Sequence, residues 1–324
     1  MTSLADGGRA AGGAQTRPSG SDSCAPSSLR SPSAKLVTVF TSTIYPDLAR
    51  LWHACIRRSF PADEAAIEVF QDSDEHVVDP RWLPGADVLR RAPSRRDFHE
   101  AYNDALARVE TPYLAFVDTD VFWIAPDLWP RVREELKRPD VGAVSCASRD
   151  QIVSHGTFAV VMKVAAYREA LKSLPDGFFP AIEHPDPAVP EHRWVRHDTG
   201  DLATRAVVEA GWKVELLHLY RSGELARFRG ITLSRRSAEW LGRRALVRMC
   251  HRSRYFWRGY LGNLVLKRLH DRLFADGPRY AFPHGAGPLL VQSLRRDWRY
   301  RLAYLRELRA GARRVETFVR SRPA

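Results

Sequence analysis

The chain has 324 residues, 44% of them hydrophobic and 10% aromatic, which is ample for one large core. Its 50 Lys and Arg against 38 Asp and Glu leave a formal net charge of +12. No stretch reaches the ~18 uncharged apolar residues of a membrane span. The N-terminus has no apolar signal core. Cys24, Cys55, Cys146 and Cys250 stand far apart, against a zinc knuckle or a disulfide framework.

Residues 1–34 are rich in Gly, Ala, Ser and Pro and nearly free of large apolar side chains. Such a tract cannot offset its ordering entropy by burial, so it is expected to be disordered. Leu36 to Phe40 reads as a strand. Pro46 and Asp47 then open a helix with Leu48, Leu51, Trp52, Cys55 and Ile56 on one face. Ile67 to Phe70 reads as a second strand, ending in the acidic run 72–75.

A helix is expected from Asp97, with Glu100 three residues later as in a capping box. Its apolar face is Phe98, Ala101, Tyr102, Ala105, Leu106 and Val109, and Thr111-Pro112 breaks it. Tyr113 to Val117 is an apolar strand that runs into Asp118-Thr119-Asp120, and Val121 to Ile124 follows. A helix over 126–137, strands over 141–146 and 156–162, a helix through Leu171, a Pro-rich loop from Pro175 to Pro190, a helix ending at Gly211 and a strand over 212–216 complete the alternation. Strands alternating with helices of this length predict an α/β domain with a mostly parallel central sheet flanked by helices.

The charge is uneven along the chain. Residues 1–234 hold 28 basic and 32 acidic residues, whereas residues 235–324 hold 22 basic and 6 acidic. The basic side chains are mostly Arg, 44 against 6 Lys. This divides the chain into a tail (1–34), an α/β catalytic region (35–234) and an Arg-rich helical C-terminal region (235–324), with helices expected over 238–249, 255–274 and 289–319. In the last helix Leu294, Trp298, Leu302, Leu305 and Leu308 recur at helical spacing among arginines. Such a helix suits an anionic membrane surface, or docks its apolar stripe on the domain. Nucleic acid is a third partner class, but no helix-turn-helix, zinc-finger or RNA-recognition pattern supports it.

Asp118 and Asp120 form the sharpest feature. In an extended segment residues i and i+2 share a side, so the two carboxylates can converge on one ligand. They follow an apolar strand, at the end where open α/β sheets bind ligands. Unpaired carboxylates beside a core are costly. A hard divalent cation would neutralise them and leave room for phosphate oxygens. One Asp capping the following helix, with the other solvated, is the plainer alternative.

With the element order, this segment resembles the nucleotide-sugar-dependent glycosyltransferases of the A-type fold, family 2 and its relatives most, over roughly residues 35–234. The resemblance implies Mn2+ or Mg2+ at Asp118 and Asp120 and a nucleotide-diphosphate sugar as co-substrate. It implies that Thr41, with Ser42 and Thr43, sits at the nucleotide, as do Asp72, His99, Asn103 and Asp118. For Asp72 a solvated acidic loop is an equal alternative. His197 to Arg205 resembles the family's second acidic motif, which supplies the base for the acceptor hydroxyl. Asp198 is the expected base and Asp201 the second candidate. An N-cap role for Asp198 and an i,i+4 pair of Asp201 with Arg205 are the alternatives. A third metal ligand would be His218, or else His251.

The expected activity is transfer of a sugar to an acceptor hydroxyl by a cytoplasmic enzyme, with peripheral contact at the inner membrane face through the basic C-terminal helices. A nucleotidyltransferase, and a basic membrane- or nucleic-acid-binding protein on a non-catalytic scaffold, are the rival classes.

Overall fold

The computed structural model describes residues 35–72, 76–90, 98–146, 159–174, 177, 183–185, 194–196, 200–240, 245, 248–250, 253–277, 279–280, 282 and 298–321. The tail expected over 1–34 and most of the Pro-rich loop lie outside the described residues. Among the described residues, the main sheet has seven strands: β1 (Val37–Thr43), β2 (Ala65–Gln71), β3 (Asp87–Arg90), β4 (Tyr113–Val117), β6 (Val141–Ser145), β7 (Ala159–Lys163) and β10 (Lys213–Leu216). Their order is β10-β6-β7-β4-β1-β2-β3. β7 runs antiparallel to both β4 and β6. The other pairs are parallel. Outside this sheet, β8 (Glu183–Pro185) and β9 (Trp194–Arg196) form an antiparallel pair of their own.

Every residue of β1 is buried, as expected of a central parallel strand covered on both faces. One face carries Val37, Val39, Ala115 and Val117 under helices α1 (Pro46–Ser59) and α3 (Leu128–Lys137). The other carries Phe40, Leu114 and Phe116 under α2 (Phe98–Arg108), α4 (Val164–Ala170) and α5 (Asp201–Glu209). The apolar stripe read for α1 is the stripe that is buried.

Three features depart from the sequence reading. β3 is an added edge strand, too short and too charged to show a strand pattern. Val121–Trp123 is β5, which leaves the main sheet and pairs antiparallel with β11 (Leu225–Arg227). The short helix α6 (Leu219–Ser222) leads into β11. The boundary drawn after residue 234 falls inside α7 (Ile231–Trp240), a helix that begins seven residues before the one expected from Ala238.

α8 (Arg254–Leu273) and α9 (Trp298–Arg320) follow. Both contribute to the same core as α1 and β5, through Phe256, Leu266, Leu308 and Val315. α7 and α8 cross closely, because a Cβ on Gly259 would lie 1.9 Å from the carbonyl oxygen of Gly230. α9 buries Leu308, Gly311, Ala312 and Val315, while Trp298 is 55% exposed. The helix therefore docks on the domain with a stripe shifted toward its C-terminus. Among the described residues no helix is long and apolar enough to cross a membrane.

A buried polar network joins α1 to this C-terminal layer. The Arg235 guanidinium is fully buried and donates from both terminal nitrogens to the Asp47 carboxylate, one of the bonds being 3.0 Å. It lies between the rings of Tyr45 and Tyr280, 4.0 and 4.4 Å from their centroids. Tyr280 in turn donates to Asn263 Oδ1 at 2.8 Å.

Candidate active site

The strand order reverses between β1 and β4: β2 and β3 continue on one side of β1, and β4 starts the other side. Ligands of open α/β sheets bind at the carboxyl ends of strands at such a switch point. Asp118 follows β4 there, and Thr41 to Thr43 end β1 beside it.

Asp118 and Asp120 lie in a tight turn and not in an extended segment. Val121 N–H donates to the Asp118 carbonyl at 2.9 Å, and Phe228 N–H to the Asp120 carbonyl at 2.9 Å. The β5–β11 ladder thus holds the turn from outside the main sheet. Strand alternation is not what brings the carboxylates together; the turn does.

On the Asp118 side, Tyr102 of α2 donates its hydroxyl to Asp118 Oδ1 at 3.2 Å. Asp120 Oδ1 is buried and has no hydrogen-bond partner among the described residues. Burial, above all, pushes the Asp120 carboxyl up to about 7. The Arg227 guanidinium opposes this, Asp118 reinforces it, and Arg229 opposes it more weakly. A carboxylate with one oxygen buried and unpartnered beside a second carboxylate costs free energy, which the two guanidiniums offset only in part. A divalent cation fits these residues: the donors are hard oxygens, and one of them is orphaned.

The remaining expected residues fall as follows. Thr41 Oγ1 and Ser42 Oγ are buried without partners among the described residues, so the switch point holds two unused hydroxyls. Thr43 is spent locally, bonding both the N–H and the carbonyl of Tyr45. Asp72 follows β2, with its N–H on the Thr43 carbonyl at 2.8 Å, which sets it at the same end of the sheet. Asn103 is half-buried on α2 one residue past Tyr102. His99 lies in α2, but its side chain is outside the described residues, as are Asp198 and His251 altogether.

Asp201 begins α5, after Gly200 in the left-handed region at φ 91°. α5 leads into β10, which is aligned with β4 through β6 and β7. The α5 N-terminus therefore sits at the same end of the sheet as Asp118, and on the Tyr102 face. His218 is exposed beyond β10, the edge strand. Three strand spacings, roughly 14 Å, separate that strand from β4. Among the described residues no group of three or more His, Cys, Asp and Glu side chains is gathered for a metal.

Tyr102, Arg227 and Arg229 are site residues that the sequence pattern does not single out. Tyr102 reads as one more apolar position of its helix. The arginines belong to Leu225-Ala226-Arg227-Phe228-Arg229, where alternation is the available signal for a short strand with two charges on one face.

No family model matches the chain, and no curated protein matches it. Nucleotide-sugar glycosyltransferases are among the solved structures it is similar to. A mannosyltransferase from Pyrobaculum calidifontis, solved with GDP-Man and Mn2+, shares 18% identity over 87% of this chain and 74% of that one, with a TM-score of 0.41. TarS 1-349 from S. aureus shares 13% over 86% and 90%, at 0.38. A nucleotidyltransferase, 2-C-methyl-D-erythritol 4-phosphate cytidylyltransferase from Thermus thermophilus, shares 16% over 57% and 88%, at 0.35. The fold assignment rests on the strand order and not on these likenesses.

Proposed function

We propose that the chain is a divalent-metal-dependent glycosyltransferase that moves a sugar from a nucleotide-diphosphate sugar to an acceptor hydroxyl. The observation that carries this reading is Asp120: a half-buried carboxylate with one buried, orphaned oxygen, one turn residue from a second carboxylate, at the switch point of the sheet. Asp118 and Asp120 would hold Mn2+ or Mg2+. Bound there, the cation supplies charge stabilisation for a departing diphosphate. The two carboxylates would be the chain's own ligands to the cation, leaving room for substrate oxygens, and the reading does not need His218.

The chain's own residues then have separable roles. Tyr102 orients Asp118 through its hydroxyl. Thr41 and Ser42 offer buried hydroxyls to the nucleotide, since buried polar groups require partners. Asp72, Asn103 and His99 border the same end of the sheet from β2 and α2. Asp198, or Asp201 at the α5 N-terminus, takes the proton of the acceptor hydroxyl as it attacks the anomeric carbon. The outer Arg face of α9, with Trp298 exposed, is the surface for peripheral contact with an anionic membrane.

The test is incubation of the purified protein with Mn2+ or Mg2+ and a panel of nucleotide sugars, with product analysis. Release of nucleoside diphosphate upholds the reading. Release of pyrophosphate from nucleoside triphosphate overturns it in favour of nucleotidyl transfer. A thermal-shift screen of UDP and GDP with and without Mn2+ should raise the apparent stability only when both are present.

A further inference from the structure

A groove of about 910 Å3 lies between the end of α1, the segment that leaves β5 and the C-terminal half of α9. Its floor is apolar, with Ile124, Pro126 and Phe318. Arg57 and Arg58 from α1 and Arg313 and Arg314 from α9 stand around it, and no carboxylate lines it. The groove is remote from the carboxylate turn. Leu36, just before β1, donates its N–H to the Glu64 carbonyl just past α1 at 2.7 Å. The end of α1 therefore sits at the amino end of the sheet, whereas Asp118 sits at the carboxyl end.

The four guanidiniums are not equally balanced. Arg57 donates to the Gly85 carbonyl and has Asp87 as its opposing charge. Arg314 is opposed by Glu307. Arg58 donates to the carbonyl and the hydroxyl of Ser321, which are neutral groups, and packs 5.6 Å from the Phe318 ring centroid. Arg313 is exposed and has no ion pair among the described residues. Two positive charges, Arg58 and Arg313, thus remain above an apolar floor. Guanidinium forks match phosphate oxygens, and an apolar floor matches hydrocarbon. The volume is that of a small-molecule site. An extended peptide would find few backbone partners here. Pro61 and Pro126 have no N–H, and the Ile124 N–H is already spent on the Glu224 carbonyl.

We propose that this groove binds an anionic phospholipid, with its phosphate between Arg58 and Arg313 and an acyl chain along Ile124, Pro126 and Phe318. The binding is independent of the transferase reading, since none of these residues belongs to the carboxylate turn. It is also distinct from a membrane contact made by the outer Arg face of α9 through charge alone.

The test is calorimetric titration of the full chain with dihexanoyl phosphatidylglycerol below its micellar range. The lipid should bind equally with and without Mn2+ and UDP. Arg313→Gln should weaken it about 10-fold, the effect of one charge-assisted hydrogen bond. Thr317→Glu, at an exposed lining position of α9, should weaken it similarly by placing a carboxylate beside the phosphate. Arg306→Gln, exposed on the same helix and outside the groove, should change the affinity by no more than about 2-fold. Inorganic phosphate should bind about 100-fold more weakly, because it buries no hydrocarbon. Equal affinity for phosphate and lipid would overturn the proposal, leaving a simple anion site. Equal losses in all three variants would overturn it as bulk charge. Tighter binding of an oligoglutamate peptide, in competition with the lipid, would overturn it in favour of an acidic protein segment.

Discussion

Asp47 is a buried carboxylate and Asp120 a half-buried one at the same end of the sheet, and they differ in what faces them. Asp47 meets a fully buried guanidinium with two bonds, and the N–H of Leu48 donates to it at 2.9 Å. Asp120 feels Arg227 and Arg229 but also a like charge two residues away, and it leaves one oxygen without a hydrogen-bond partner among the described residues. The first arrangement is complete within the chain and ties the C-terminal helices to α1. The second is complete only with something added. A fold can tolerate a few such unbalanced groups, and they mark where a ligand contributes the missing charge.

The contrast should show most visibly at Asp120. Asp120→Asn should lower sugar transfer by about 10³-fold, the effect of several kcal/mol of lost charge stabilisation. The metal-free protein should melt no lower, since an orphaned charge is removed. A Tm that falls sharply in that variant would mean that Asp120 is structural. Arg235→Met should do the reverse, costing about 3–5 kcal/mol in urea unfolding because Asp47 is left buried and unpaired. Adding Asp47→Asn to it should recover part of that loss.

The pH dependence tests the same contrast. The folded-state pKa of Asp120 is raised to about 7 from 3.8, so the native state holds a proton that the unfolded chain has released. Its contribution to stability is full below about pH 4 and is lost as pH rises through about 7. Metal-free protein should therefore lose stability between about pH 4 and pH 7, Asp120→Asn should lose less, and Mn2+ should restore the wild type at the alkaline end. The Mn2+ affinity itself should climb over the same window, as the proton leaves. The smallest effect is expected at Tyr102→Phe. Losing one hydrogen bond to Asp118 should cost about 0.5–1.5 kcal/mol, read as a several-fold weaker Mn2+-dependent thermal shift with the fold intact.

Much of this is legible in the sequence because it is local. The α1 stripe, the apolar run of β4 and the Asp118-Thr119-Asp120 sequence each announce themselves within a dozen residues. The convergence of the two aspartates is also expected from sequence, but for the wrong reason. Alternation along a strand does not produce it; a turn pinned by a strand a hundred residues downstream does. β11 escapes notice because three residues in a ladder with three others carry too short a period to detect. The Arg-rich C-terminal region is legible as charge and as helix. Nothing local indicates that Arg235 is buried against Asp47, or that Arg227 and Arg229 stand beside Asp120.

Periodicity and composition are enough to establish the alternating α/β order, the helical C-terminal third, the separation of charge along the chain and the carboxylate pair after the central strand. These signals act over one or two helical turns or a single strand, so they can be read without knowing what packs against them. Which carboxylate is balanced and which is not emerges only when the chain is folded. That depends on burial and on partners more than a hundred residues away, and the electrostatic cost of a charge is set by what the fold places against it.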